Sequence, residues 1–293
     1  MAYLVFFLSA ILAGLGWILF GSHRILHPIR YPPAITPKDF GLSWQSLWLK
    51  TADRVDVSIW LLRHPRPEGL LLLLHGFGSS KVELLDVAQA LHACSPYHLF
   101  LMDLRGHGES GGRTATFGFR EMLEVQAILD FIAQDPELKG LPIGCYGVSM
   151  GGAIALLAAA RFSSILAVVS DSAYADFGKA VARVQRLTYH IPRIPLGLGT
   201  LWATEIRLGC WASALSPIQA IRRIAPRAVL IIHGMQDFTI PSEEARALFE
   251  AAGTPKELWL VPEAEHAACY YKRKEEYPLK MKEFFRDAFL RAA

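Results

Sequence analysis

Residues 143–161 read IGCYGVSMGGAIALLAAAR, and this stretch decides the fold. The apolar run Ile143 to Tyr146 has strand length, the glycine-flanked serine of Gly147-Val148-Ser149-Met150-Gly151 and Gly152 follows at once, and Ala153 to Arg161 is strongly helix-forming. Strand, sharp turn and helix in that order make one unit of a parallel sheet covered by helices. The turn also has chemical meaning. A serine hydroxyl is a poor nucleophile unless it is held on a tight strand-to-helix corner, where flanking glycines admit the strained backbone and the helix N-terminus favours developing negative charge. G-x-S-x-G alone is a common chance pattern, so the case rests on what surrounds it.

Outward from that unit, the same alternation runs from residue 43 to the end. Trp44 to Lys50 and Val55 to Leu62 form an expected antiparallel hairpin at the sheet edge. Leu70 to Leu74, Leu99 to Met102, Ile143 to Tyr146, Ile165 to Ser170, Ala228 to Ile232 and Leu258 to Val261 are short apolar runs bounded by Gly, Pro, Asp or His, as strands buried on both faces should be. Ser80 and Glu83 have capping-box spacing and open one helix, while Asp135-Pro136 and Lys139-Gly140 close another. Residues 43–293 therefore read as one α/β domain.

Three further elements accompany Ser149. His75-Gly76-Phe77-Gly78 ends the Leu70 to Leu74 strand, and the backbone N–H groups of Phe77 and Met150 are the expected donors to an oxyanion, each worth about 3 kcal/mol of barrier when fixed in advance. His75 itself reads as structural. Asp237 follows the strand Ala228 to Ile232, and His266 follows Leu258 to Val261. An imidazole must take the serine proton and return it, and a carboxylate must hold the imidazole in the right tautomer. The order Ser149, Asp237, His266 supplies both, each just beyond a strand's C-terminal end, where open α/β sheets gather their sites. Asp171, after Ile165 to Ser170, is the alternative acid; Glu263 and Glu265 read as surface charges.

The N-terminus is different in kind. Residues 3 to 20 carry no charge, and eighteen helical residues reach about 27 Å, near the thickness of a bilayer's hydrocarbon core. Residues 1–22 read as an uncleaved transmembrane anchor, since a basic start and a small-residue cleavage site are missing. Residues 23–42, with Pro28, Pro32, Pro33 and Pro37, read as a stiff stalk. Arg24, Arg30 and Lys38 follow the span, so the positive-inside rule puts the catalytic region in the cytoplasm of a single-pass cell-membrane protein. Hydrophobic residues make up 52% of the chain, which such a span helps to explain, and a net charge of +3 without any binding motif argues against a nucleic-acid partner. Cys94, Cys145, Cys210 and Cys269 lack metal spacing and disulfide density. The interval 173–215 interrupts the alternation as a helical insertion. Its Leu187, Ile191, Ile194, Leu196, Leu198, Leu201, Trp202 and Trp211 either pack on the domain or form a lid over an apolar pocket. Its Lys179, Arg183, Arg186, Arg193 and Arg207 are a solvated face or a contact with anionic headgroups.

Taken together, these motifs resemble the α/β-hydrolase superfamily over about residues 43 to 290. Asp103-Leu104-Arg105-Gly106-His107-Gly108-Glu109-Ser110-Gly111 and Thr116-Phe117-Gly118 look like its Bem46-like branch. The resemblance implies an α/β-hydrolase fold with an eight-stranded, mostly parallel sheet, helices on both faces and a helical lid. It also implies no metal or organic cofactor, and hydrolysis of esters, thioesters or lipid acyl groups. Carried over are Ser149 as nucleophile, Asp237 as acid, His266 as base, and Phe77 and Met150 as oxyanion donors; Asp103 and Arg105 pin a loop. Val148 departs from the bulkier residue many relatives carry before the serine. The expected substrate is a small-molecule or lipid ester reached from the membrane. A peptidase or amidase on the same machinery, or a silent binding protein, remains the alternative, and the sequence sets no oligomeric state.

Overall fold

A computed structural model of the chain describes residues 1–31, 33–189 and 193–292. Pro32 and Ile191 lie outside the described residues, as does the side chain of Arg193.

Eight strands form one sheet: β1 Gln45–Lys50, β2 Asp56–Leu62, β3 Gly69–Leu74, β4 Tyr97–Met102, β5 Ile143–Val148, β6 Ile165–Asp171, β7 Ala228–Gly234 and β8 Lys256–Val261. Their spatial order is β1-β2-β4-β3-β5-β6-β7-β8. β2 runs antiparallel to both β1 and β4, and every pairing from β4 to β8 is parallel. The hairpin and all six later runs expected from hydrophobic patterning are present, but the last, Leu258 to Val261, forms the far edge of the sheet and is only partly buried instead of being covered on both faces. β3, β4, β5 and β7 are buried at every position, whereas β1 and β8 at the two edges are not. That difference explains the near-continuous leucine of β3 and the mixed composition of β1.

Helices α2 Leu85–Cys94, α3 Glu121–Gln134, α4 Met150–Arg161, α5 Phe177–Tyr189, α6 Leu198–Leu208, α7 Ser242–Ala251, α8 Cys269–Lys272 and α9 Glu276–Ala292 complete the domain. Successive residues of β3 feed opposite cores. Leu70, Leu72 and Leu74 pack with Val125 and Ile128 of α3 and Ile154 of α4, while Leu71 and Leu73 pack with Leu85 and Leu91 of α2 and Phe285 of α9. The sheet is a middle layer between two helical ones.

Two local expectations change. The first helix, α1 Ala2–Leu26, runs four residues beyond residue 22. Pro28 is the first residue that cannot continue it, and the residue before a proline avoids helical dihedrals; His27 duly sits at φ −121°, ψ 85°. The chain beyond is tied to the domain. The Leu26 carbonyl accepts from the Ala115 N–H at 2.8 Å, and the Arg30 guanidinium donates to the carbonyls of Gly106 and Gly112. Second, Ser80 and Glu83 do not form a capping box. The Ser80 hydroxyl caps a 3-10 turn, Lys81–Leu84, but the Glu83 carboxylate points back to the Gly76 N–H at 2.7 Å.

Candidate active site

Parallel register levels the ends of the inner strands. Leu74 lies beside Gly147, Val148 beside Asp171, Asp171 beside Ile232, and Gly234 beside Val261. The residues that follow, 75–78, 149, 237 and 266, therefore emerge along one ledge although they are up to 191 positions apart.

Ser149 takes φ 54°, ψ −117°, in a region that side chains other than glycine seldom occupy, and caps α4. The strain sits on the serine itself; its glycine neighbours are needed for space. A Cβ on Gly147 would collide with the Gly151 carbonyl, and one on Gly151 with the Leu74 carbonyl. The backbone is pinned further by the Ser149 N–H, which donates to the Asp171 carbonyl at 2.8 Å. An over-determined corner of this kind can hold a conformation that costs about 1–3 kcal/mol.

The Ser149 hydroxyl lies 2.9 Å from His266 Nε2, and His266 Nδ1 lies 2.6 Å from Asp237 Oδ2. The Asp237 loop is strapped to the His266 loop, since the Gln236 N–H donates to the Ala264 carbonyl at 2.9 Å. Asp237 Oδ1 accepts from the N–H groups of Thr239 and Ile240 at 2.9 and 2.8 Å. Burial opposes ionisation of this carboxyl, but hydrogen bonds from His233, His266 and Ile240 outweigh it and hold the pKa at about 2. An ionised Asp237 keeps the proton on His266 Nδ1, which leaves Nε2 as the acceptor for the serine hydroxyl.

Asp171, the rival acid, is buried and engaged elsewhere. Its Oδ2 accepts from the Tyr277 hydroxyl at 2.7 Å and its Oδ1 from Ser172 at 2.8 Å, and burial raises its pKa. His75 is likewise structural. Its Nε2 accepts from the Leu104 N–H at 3.0 Å and its Nδ1 donates to the Gly76 carbonyl at 2.7 Å. Burial pushes its pKa down to about 4, so the ring stays neutral.

Phe77 lies in the loop that crosses above Ser149: a Cβ on Gly76 would sit 3.5 Å from that of Ser149. Met150 is the first residue of α4, whose first N–H groups have no partner within the helix. Both expected donors thus border the serine.

Several contributors were not legible as such. Glu83 braces the Phe77 loop through Gly76, and burial raises its pKa. On the reading of Phe77 as an oxyanion donor, Glu83→Ala should lower kcat about 10-fold to 100-fold with KM little changed, because a displaced donor costs up to 10²–10³. Glu83→Gln, which still offers an acceptor to Gly76, should restore most of the rate. His233 lies 3.3 Å from Asp237 Oδ2 and 2.8 Å from the Ile240 carbonyl. Asp103 and Arg105 hold loops, as expected. Asp103 binds Lys81, and Arg105 binds Glu124 and Asp53.

A cavity of about 410 Å³ opens beside Ser149 and His266. Its walls come from Phe77, Phe117, Tyr174 and Phe177, from Ala180, Val181 and Val184 of α5, and from Gly21, Arg24 and Ile25 of α1. The insertion does wall the pocket, but through α5; of the apolar residues singled out above, Leu187, Ile194, Leu198, Trp202 and Trp211 are exposed instead. Among the described lining residues none is acidic, and Arg24 is the one permanent charge.

The sheet order, the serine on its corner and the ordered partners beyond the later strands define the α/β-hydrolase fold. In sequence the chain is similar to Bem46. Residues 65–194 match the family described as serine aminopeptidase, S33. The Bem46 protein of Schizosaccharomyces pombe is 24% identical over 260 residues, covering 85% of this chain and 81% of its own. The uncharacterized YqkD of Bacillus subtilis is 32% identical over 190 residues, covering 64% of this chain, and the match spans 62% of YqkD's own length. Among solved structures, the Pyrococcus furiosus esterase Pf2001 superposes with a TM-score of 0.75 at 23% identity, covering 90% of this chain and 98% of that one, and so shares the fold.

Proposed function

We propose that the protein is a membrane-anchored serine hydrolase that cleaves carboxylic esters or thioesters of lipidic or acylated substrates through an acyl-enzyme. The observation that carries this reading is the continuous relay from Asp237 through His266 to the Ser149 hydroxyl, at 2.6 and 2.9 Å. Ser149 Oγ attacks the acyl carbon as His266 Nε2 takes its proton. The tetrahedral oxyanion accepts from the N–H groups of Phe77 and Met150, and the imidazolium then protonates the leaving alcohol or thiol. Water, deprotonated by the same imidazole, releases the acid. Asp237 stays ionised throughout and stabilises the imidazolium.

The apolar walls of the pocket support an acyl chain as the group bound there. An aminopeptidase would need an anion to receive a substrate ammonium, and the described pocket residues offer a guanidinium, so ester cleavage is favoured over that alternative. Helix α1 is apolar and long enough to cross a bilayer, which supports residues 1–22 as anchor, 23–42 as connection and 43–293 as hydrolase domain. Arg24, Arg30 and Lys38 favour a cytoplasmic catalytic domain.

A fluorophosphonate probe should label the detergent-solubilised full chain, and Ser149→Ala should abolish both labelling and p-nitrophenyl ester turnover. Labelling that survives in that variant removes Ser149 from the mechanism; faster turnover of aminoacyl anilides than of esters reverses the substrate class.

A further inference from the structure

Helix α6 runs alongside the second half of α1, not beneath it. A Cβ on Gly14 of α1 would lie 3.7 Å from Leu196, just before α6, and one on Gly21 would lie 3.0 Å from Thr200. A Cβ on Gly199 would collide with Ile18, and Arg207 donates to the Ser22 hydroxyl at 3.4 Å. Glycines at these positions let the two backbones approach closely. Residues 14 to 22 of α1, about 12 Å of helix at 1.5 Å per residue, are therefore level with residues 196 to 207.

That depth matters because of what α6 turns outward. Leu198, Trp202 and Ile206, four residues apart and so on one face, are 44%, 62% and 62% exposed. Ile194 before the helix and Trp211 after it are 69% and 68% exposed. The polar groups of α6 are arranged the opposite way. Thr200 and Thr204 return their hydroxyls to the carbonyls of Leu196 and Thr200, and Glu205 accepts from the Ala212 N–H. Arg207 reaches α1 at Ser22, beyond the uncharged run that ends at Phe20.

We propose that α6, with the turn before it, is immersed in the membrane leaflet nearest the catalytic domain, its Leu198–Trp202–Ile206 face against lipid acyl chains. This rests on the reading of α1 as a bilayer span: with residues 3 to 20 in the hydrocarbon core, the start of α6 lies within one leaflet and Arg207 at the headgroup level. The surface fits that medium, apolar outside with its polar groups satisfied inside. The consequence is a route. Gly21, Arg24 and Ile25 share the pocket wall with Val184 and Thr188 of α5, so the pocket rim meets the headgroup zone and a lipid ester reaches Ser149 laterally from the leaflet.

The test uses the full chain in phosphatidylcholine vesicles, with Cys94 and Cys210 replaced by serine and an environment-sensitive nitrobenzoxadiazole label on one new cysteine. Labels at Trp202→Cys and Ile206→Cys should emit blue-shifted, resist aqueous iodide and be quenched by brominated acyl chains. A label at Glu137→Cys, whose side chain is 76% exposed, should be quenched by iodide. Iodide quenching at 202 and 206 equal to that at 137, in protein that floats with the vesicles, overturns the proposal while leaving the anchor intact. Protection from iodide without quenching by brominated chains, lost on dilution, identifies a second copy of the chain as the occupant and also overturns it. Protein that does not float overturns the anchor reading together with this one. None of these readouts depends on activity, so failure of the hydrolase assignment is separable. An Ile206→Glu variant should slow turnover of a vesicle-borne long-chain ester at least 10-fold relative to a short soluble ester; equal effects on both count against lateral entry.

Discussion

An Asp237→Asn variant should lose about 10⁴-fold in kcat while keeping its fold, since a triad in which the imidazole adopts the wrong tautomer falls by roughly that factor. The local geometry dictates which way the amide must turn. Oδ1 of Asp237 accepts two backbone N–H groups, from Thr239 and Ile240, so the asparagine carbonyl has to occupy that place. Its NH₂ group then faces His266 Nδ1, which can only accept, and the ring proton moves to Nε2, where it blocks removal of the serine proton. The control is Asp171→Asn. That carboxyl accepts from Tyr277 and has no bond to His266, so the variant should stay within about tenfold of wild type. Both are read as kcat and kcat/KM on a p-nitrophenyl ester, with circular dichroism to establish folding. A large loss in Asp171→Asn beside a small one in Asp237→Asn would exchange the two roles.

The largest stability effect is expected at Lys81, which is completely buried four residues after Phe77. Its ammonium donates to Ser58 Oγ at 2.6 Å, Asp103 Oδ2 at 2.9 Å and Glu109 Oε2 at 2.6 Å, and lies 4.6 Å from the centre of the Trp60 ring. Asp103 also receives the N–H groups of Lys81 and Glu109 at 2.7 and 2.9 Å, which ties the end of β4 to the start of the 3-10 turn. Lys81→Met preserves the stem but leaves the Asp103 carboxylate buried without a cation, a change that costs about 3–5 kcal/mol. At about 2–4 °C per kcal/mol for a domain of this size, Tm should fall by roughly 6–20 °C. Adding Asp103→Asn should recover part of the loss, because it removes the orphaned charge. A Tm within about 2 °C of wild type would mean that water reaches the pair and that its burial contributes little.

The strands were legible because a sheet buried on both faces demands short apolar runs, and such runs with glycine or proline at their ends leave few other readings. The serine corner was legible for a similar reason: only small residues fit where a strand and a helix nearly touch, so Gly147 and Gly151 announce the turn. Asp237 and His266 were readable through their place after a strand, since a parallel sheet brings successive strand ends to one edge whatever lies between them.

Other features depended on contacts that no spacing encodes. Asp237 and Asp171 have equivalent positions in the linear pattern, and only the tertiary structure pairs Asp237 with His266 and Asp171 with Tyr277. Glu83 has the spacing of a capping box, yet the Phe77 loop folds over it and takes its carboxylate. Lys81 gives no sign in one dimension of being the centre of a buried ionic cluster. The end of α1 reads in sequence as the close of an anchor and the start of a spacer, and in the structure its Gly21, Arg24 and Ile25 also line the pocket beside Ser149. Periodicity reports what a segment needs on each of its faces, and strand ends in a parallel sheet report where a site must gather. Which particular groups meet there depends on the docking of segments far apart in the chain, a property of three-dimensional packing alone.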